Sequence, residues 1–259
     1  MWETITLMVT VKAYPNLSTK YGEVVCIAGI RTDTTEPEWV RLFPVAFRDL
    51  PSTQRFSKYQ LITLEAQRHG TDKRPETFRP NIDSIQRGEK IDSKMGWMRR
   101  RELVEPLVSE SMCDLLRRQE LDGTSLGAFR PWQVSDFEIT NDVDERGQTK
   151  DAIAAQPSLL LPTKNPLEPV ALRFRYRYRC STAGCNGHHQ SMIDWELAQA
   201  WRSWRDLYDE STLLEKLRAK FLDEMCGPAK DTIFFVGNQH QHTKSFLVLG
   251  VFWPPVRGG

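Results

Sequence analysis

The sequence predicts an α+β protein with an N-terminal small antiparallel β-barrel-like domain that includes one long helix, followed by a C-terminal strand–zinc knuckle–two-helix–β-hairpin module. Three observations predict this class. Short β-branched segments separated by turn residues fill the first part, four prolines fall within residues 157–169, and cysteines and histidines cluster at residues 180–189. We place the β-rich domain at residues 1–140, a Pro-rich connection at 141–169 and the zinc-bearing module at 170–259.

The N-terminal part has the pattern of short strands. β-Branched and aromatic residues dominate four segments, separated by Pro-, Gly- and Asn-containing turns, at residues 5–14, 23–30, 39–45 and 59–67. Several short strands without a long helix between them are typical of a small barrel or a strongly bent sheet. A helix is then predicted over residues 98–119, which Pro106 should kink or divide, and a strand over 132–140.

The C-terminal part predicts a strand, two helices and a hairpin. Alternating residues indicate a strand at 172–179, and an apolar stripe at helical spacing indicates a helix at 193–208. A second helix is predicted over 212–225, with Thr212 and Glu215 as a capping box and Gly227-Pro228 as its end. Two apolar strands, at 232–236 and 245–253, close the module.

Composition limits the classes of function. The formal net charge is +1, so any attraction to nucleic acid must come from local clustering of Lys and Arg. Five cysteines are an odd number and do not fit a secreted disulfide framework. Neither a signal-peptide pattern nor an apolar run of about 18 residues is present. We therefore expect a cytoplasmic protein with no membrane partner.

The segment from Cys180 to His189 predicts a metal site. Two thiols at Cys180 and Cys185 are followed by imidazoles at His188 and His189, with glycines that let the backbone turn between them. Sulfur and imidazole ligands suit zinc, which we expect to be structural more than catalytic. No fourth ligand is obvious locally, and the shell could be completed from elsewhere in the module, by His240, His242 or Cys226. The alternative is a glycine-rich turn with buried thiols and histidines that cap or face solvent.

The predicted strand at 172–179 carries an arginine at every second position. Side chains alternate across a strand, so four guanidinium groups line one face, from Arg173, Arg175, Arg177 and Arg179. Such a row suits the phosphate backbone of nucleic acid. The alternatives are a solvated edge strand, or arginines neutralised by acidic residues of a neighbouring helix.

Three further residues are candidates for catalysis: Glu196, His240 and His242. Carboxylate and imidazole groups near a metal could serve phosphodiester hydrolysis. The structural alternative is that Asp194 and Ser191 form a helix cap, with acidic residues in the first helical turn, and that the two histidines are exposed at a hairpin tip.

From these features the sequence predicts a nucleic-acid-binding protein with a zinc-stabilised C-terminal module, which contacts the phosphate backbone through the arginine-lined strand. The choice between DNA and RNA stays open. One alternative is a metal-dependent phosphodiesterase or nuclease that uses the His/Glu cluster. Another is a non-enzymatic interaction subunit of a larger protein complex.

Overall fold

The computed structural model describes residues 1–14, 16–18, 22–141 and 170–258 of the chain. Its strands are β1 (Glu3–Lys12), β2 (Asn16–Ser18), β3 (Gly22–Arg31), β4 (Glu38–Val45), β5 (Gln60–Arg68), β6 (Thr77–Pro80), β7 (Gln86–Lys90), β8 (Val108–Ser109), β9 (Leu126–Phe129), β10 (Gln133–Asn141), β11 (Leu172–Arg179), β12 (His188–Ser191), β13 (Ile233–Gln239) and β14 (His242–Phe252). Its α-helices are α1 (Lys94–Val104), α2 (Met112–Asp122), α3 (Trp195–Trp204) and α4 (Glu210–Arg218). No helix in these described ranges is long and apolar enough to cross a membrane.

The predicted α+β class is confirmed, and its N-terminal part is a five-stranded barrel. The strands pair in the order β1-β3-β4-β6-β5, and β5 pairs again with β1 to close the ring. All of these pairs are antiparallel except β4 with β6, which is parallel. Apolar side chains from every second position of β1, including Ile5, Leu7 and Val9, fill the interior.

The long helix predicted over residues 98–119 is two helices. Pro106 lies in a 3-10 turn, Glu105–Leu107, that ends α1 and leads through β8 into α2. Proline lacks the N–H that a continuous helix would need there, which is why the division expected at this residue occurs. Ser111 caps α2 by accepting a hydrogen bond from the backbone N–H of Asp114 at 3.0 Å.

Two further sheets follow the barrel. One has the antiparallel order β10-β11-β12, and the other has the order β14-β13-β9-β8. The hairpin β13–β14 therefore shares a sheet with β9. β9 lies on the N-terminal side of the predicted connection, and the hairpin lies on its C-terminal side. Most of that connection, residues 142–169, lies outside the described residues, so the predicted domain limits stay predictions.

The helices α3 and α4 are each capped by an aspartate. The side chain of Asp194 accepts a hydrogen bond from the N–H of Glu196 at the start of α3, and Asp209 does the same for Thr212 in α4. The predicted capping box of Thr212 and Glu215 is wrong, because the helix begins two residues earlier, at Glu210. A π-helical turn, Ala219–Glu224, continues α4.

The barrel and the C-terminal sheets share one apolar interface. Met8 and Ile30 on the outer face of the barrel pack with Ala128, Phe235 and Phe252 of the β14-β13-β9-β8 sheet. Both faces of β1 are consequently buried from Leu7 to Val11, including the hydroxyl-bearing Thr10.

A buried ion pair crosses this interface. The Nζ of Lys58, in the barrel, lies 3.2 Å from Oδ2 of Asp194 and 3.5 Å from Oε2 of Glu196. Lys58 and Asp194 are almost fully buried, at 6% and 4% side-chain exposure. Burial disfavours the charged ammonium, but the two carboxylates outweigh this effect and hold the pKa of Lys58 above its usual value. Gly250 makes room for the pair, since a Cβ there would lie 3.1 Å from the Lys58 Nζ.

Replacing Lys58 with Ala is expected to lower the free energy of unfolding by about 3–5 kcal/mol, because Asp194 would stay buried without its partner. Urea unfolding measures this loss. The double variant Lys58→Met/Asp194→Asn should recover most of it, since Asn keeps the cap acceptor and carries no charge. Lys94→Ala, at a lysine whose side chain is 84% exposed, is the control. If Lys58→Ala and Lys94→Ala lowered the free energy of unfolding equally, the stabilising role of the Lys58–Asp194 pair would be contradicted.

Candidate metal centre

Four side chains converge on one point in the C-terminal part. The sulfurs of Cys113, Cys180 and Cys185 and a ring nitrogen of His188 all lie within 4.8 Å of one another. The Sγ of Cys180 is 3.5 Å from the sulfurs of both Cys113 and Cys185. The Nε2 of His188 lies 3.6 Å from the sulfur of Cys113 and 3.4 Å from that of Cys185. We call these four residues the Cys3His cluster.

Three separate elements supply the cluster. Cys113 is the second residue of α2, Cys180 directly follows β11, and His188 begins β12. Between them, a turn that includes Gly187, at φ 91°, brings Cys185 back over Cys180. The N–H of Gly187 donates a hydrogen bond to the Cys185 sulfur at 3.4 Å.

Two hydrogen bonds hold the turn against the start of α2. The hydroxyls of Ser111 and Thr182 are 2.6 Å apart, and Ser181 donates to the carbonyl oxygen of Glu110 at 2.9 Å. The helix end that carries Cys113 is thereby fixed to the loop that carries Cys180 and Cys185.

The distances fit a tetrahedral zinc ion. Zn–S bonds of about 2.3 Å and Zn–N bonds of about 2.0 Å place two sulfurs about 3.8 Å apart, and a sulfur and a nitrogen about 3.6 Å apart. The observed separations are close to both values. They are far longer than the roughly 2.05 Å of a disulfide bond. The Cys3His cluster could therefore hold a zinc ion.

The ionisation of the thiols points in the same direction. Burial raises the pKa of Cys180, but hydrogen bonds from the backbone N–H groups of Cys113 and Thr182 and from the His188 side chain outweigh it and lower the pKa to about 5. Burial and the neighbouring sulfurs of Cys180 and Cys185 raise the pKa of Cys113 to about 12. An ionised Cys180 sulfur thus keeps the neighbouring Cys113 thiol protonated, and a zinc ion, which binds thiolates, would remove that penalty.

The structure places three of the four predicted metal residues in the cluster, and His189 outside it. Adjacent residues of a strand point to opposite faces, so His188 faces inward beside Tyr178 while His189 faces outward beside Arg177. The Nε2 of His189 lies 2.6 Å from Oε2 of Glu138 instead. The fourth member of the cluster is Cys113, and not the suggested His240, His242 or Cys226.

The arginine row alternates as the sequence predicts. Phe174, Tyr176 and Tyr178 are buried beneath β11, and the arginines lie on its other face. β11 is the middle strand of its sheet, so the edge-strand alternative is wrong. For Arg177 the neutralising carboxylate belongs to the neighbouring strand β10. There Glu138 accepts hydrogen bonds from Arg177 at 2.7 and 3.0 Å.

Two arginines of this row keep their charge uncompensated. No ion pair involves Arg175 or Arg179 within the part of the chain that the structure describes, whereas Arg177 is paired with Glu138. The other carboxylate on this face, Asp136, is paired with Arg218 at 2.9 Å. We call this surface, formed by Arg173, Arg175, Arg177 and Arg179, the arginine face.

The candidate catalytic residues do not converge. Glu196 pairs with Lys58 at the barrel interface, and the Nδ1 of His240 lies 3.3 Å from Oδ1 of Asp72, in the barrel part. His242 begins β14 and lines a cleft together with His240. His188 belongs to the Cys3His cluster, so the residues proposed for one hydrolytic site are divided among separate places.

Sequence reasoning missed Cys113 because it lies 67 residues before Cys180. One local signal was available: Ser111 marks a helix start, and a cysteine in the first turn of a helix has its thiolate favoured by the helix dipole. That signal identifies a reactive cysteine in general, but it does not identify which loop the cysteine meets.

The fold and this cluster define a class: a two-domain α+β protein with an N-terminal five-stranded β-barrel and C-terminal mixed sheets and helices that hold a Cys3His cluster. Family comparison is consistent with two parts. The domain of unknown function DUF8758 matches residues 3–106, and the domain of unknown function DUF8757 matches residues 108–258. The chain belongs to the DUF8757 family, and all four cluster residues fall within that match.

Other comparisons add little. No curated protein matches the chain. A solved structure described as a murine DNA binding protein bound with ds DNA aligns over 99% of this chain and 97% of that chain, with 9% sequence identity and a TM-score of 0.33. This is a weak structural similarity.

The purified protein is expected to contain one zinc ion per chain, measured by elemental analysis. Cys113→Ser should lose most of the metal because it removes one of four ligands, and chelation should destabilise the C-terminal part. Cys226→Ser is the matched control, since Cys226 is a half-buried cysteine outside the cluster. Full zinc content in Cys113→Ser would exclude the proposed ligand set.

The two adjacent histidines should behave differently. His188→Ala is expected to lower zinc affinity strongly, whereas His189→Ala should keep the metal, because His189 contacts Glu138 on the opposite face. Competition with a chromogenic chelator measures both affinities. Equal losses in the two variants would show that the strand pairing of β12 differs from the one described.

Proposed function

We propose that this protein binds nucleic acid through the arginine face, with a zinc ion in the Cys3His cluster stabilising the module that carries it. The observation that carries the proposal is the pair of uncompensated charges on Arg175 and Arg179. Arg175 and Arg179 lie four residues apart on one face of β11, which separates them by about 13 Å, and an anionic polymer lying along the strand can contact both. The proposal covers DNA and RNA alike.

The zinc site supports this function indirectly. Cys180 directly follows Arg179, and His188 pairs with Tyr178 across the sheet. A metal bound there would fix the end of β11 and hence the positions of the arginines. Four protein ligands fill a tetrahedral shell and leave no position for water, which favours a structural ion over a catalytic one.

The alternative of a metal-dependent phosphodiesterase receives no support from the geometry, because Glu196 is paired with Lys58 and lies apart from His240. A non-enzymatic role in a larger complex is compatible with the proposal. The cytoplasmic location stays a prediction.

A salt titration tests the arginine face. Each phosphate contact contributes about 0.9 to the slope of log K against log salt for duplex DNA, and about 0.7 for single strands. Arg175→Ser/Arg179→Ser is therefore expected to weaken binding and to reduce the slope by about 1.8 on duplex or about 1.4 on single strands. Fluorescence anisotropy with labelled DNA and RNA oligonucleotides measures both quantities.

The matched control is Arg117→Ser/Lys244→Ser. It removes the same amount of charge from two side chains that are 65% and 79% exposed elsewhere on the molecule. If the two double variants had equal slopes of log K against log salt, the loss of binding would depend only on net charge. That result would overturn the assignment to the arginine face.

A further inference from the structure

A cleft of about 740 Å³ lies between the barrel and the β13–β14 hairpin. Its barrel side includes Asp72 and Arg74, and its hairpin side includes Asn238, His240 and His242. The first two residues fall in the DUF8758 match and the others in the DUF8757 match. A cleft of this size at the junction of two domains is within the range of small-molecule sites.

The lining of the cleft combines two kinds of side chain. Val24, Phe43, Leu247 and Leu249 supply apolar surface. The polar part of the lining carries imidazole and carboxamide groups, which include those of Gln239 and Gln241. Each of these groups offers both a donor and an acceptor. Such a lining suits a ligand with an apolar ring that hydrogen-bonds along its edge.

The charges of the walls are compensated within the protein. Arg74 binds the carboxylate of Asp72 through Nε at 2.9 Å and the carbonyl oxygen of Asn238 through Nη1 at 2.6 Å. Burial opposes ionisation of Asp72, yet the hydrogen bonds from Arg74 keep its pKa well below the usual value. Arg41 donates to the hydroxyl of Ser125 at 2.6 Å, and that hydroxyl donates in turn to Glu76. The cleft therefore has little excess charge to attract a simple anion.

In two histidines that line the cleft, a hydrogen bond to Nδ1 determines which ring nitrogen carries the proton. The Nδ1 of His69 accepts the backbone N–H of Asp72 at 3.0 Å, which places the proton of the neutral ring on Nε2. The Nδ1 of His240 faces Oδ1 of Asp72 at 3.3 Å and donates to it, so Nε2 of the neutral ring is an acceptor. In the neutral rings, the Nε2 of His69 is therefore a donor and the Nε2 of His240 is an acceptor. Both rings are held in place by Asp72, one through its backbone and the other through its carboxylate.

We propose that this cleft binds a nucleobase, either of a free nucleoside or of an unpaired nucleotide, through its apolar lining residues and the hydrogen-bonding groups of His240 and His242. Base edges combine donors and acceptors on a planar apolar ring, and proteins read unpaired bases by aromatic contact together with such hydrogen bonds. The site is separate from the arginine face and goes beyond contact with the phosphate backbone.

Calorimetric titration of the full chain with adenosine, guanosine, cytidine, uridine and thymidine tests the proposal without any polymer. At least one nucleoside is expected to bind saturably. His240→Ala and His242→Ala should each weaken that binding about tenfold, the effect of losing one well-made hydrogen bond to a buried ligand. His189→Ala, which removes an exposed imidazole outside the cleft, should leave it unchanged. Thermal unfolding of each variant checks that the fold is retained.

Three results would overturn the nucleobase site. They are the absence of saturable binding by any of the nucleosides, equal affinity in the hairpin variants and the wild type, and equally tight binding of ribose 5-phosphate, which has no base. Nucleoside binding should persist in Arg175→Ser/Arg179→Ser, because those residues lie outside the cleft. The experiments therefore distinguish a failure of the proposed nucleobase site from a failure of the proposed phosphate contacts at the arginine face.

Discussion

Three sulfurs and one imidazole nitrogen share a space about as wide as one metal coordination sphere, and the arrangement of the C-terminal part depends on that convergence. It requires the first turn of α2 to meet the loop between β11 and β12, with Ser111 and Thr182 in contact. Once this loop is held, the pairing of β12 with β11 follows, with His188 opposite Tyr178. The aromatic residues of β11 are then buried and its arginines are directed away from the core.

The barrel depends on a second constraint, which is that its outer wall must be covered. The β14-β13-β9-β8 sheet covers it with apolar side chains, and buried polar groups fix the position of one part on the other. Lys58 reaches Asp194 across this interface, and Arg41 reaches the hydroxyl and carbonyl of Ser125. Polar links of this kind cost desolvation energy, so their geometry has to be satisfied completely, and they favour one relative placement. The cleft beside the hairpin exists because of that placement.

Distribution of charge matters more in this protein than its total. A net charge of +1 conceals both the arginine face and the compensated walls of the cleft. Glu138 and Asp136 reduce the charge of the arginine face but leave Arg175 and Arg179 without a carboxylate partner among the described residues. In the cleft, Asp72 offsets the charge of Arg74. The two surfaces therefore differ in charge: the arginine face keeps an excess of positive charge, whereas the charges that line the cleft are largely compensated.

Local patterns in the sequence determined much of the secondary structure. Alternation, with a period of two residues, predicted β11 with the bounds that the structure has, and Pro106 predicted the division between α1 and α2. The short spacing along the sequence also predicted that Cys180, Cys185 and His188 lie close together, because a single turn can bring together residues that are near in sequence. Tertiary structure decided the rest. Cys113 is 67 residues from Cys180, and Lys58 is 138 residues from Glu196. No local period reports which distant side chain a helix end or a barrel will meet, because that choice is made by packing across the whole molecule.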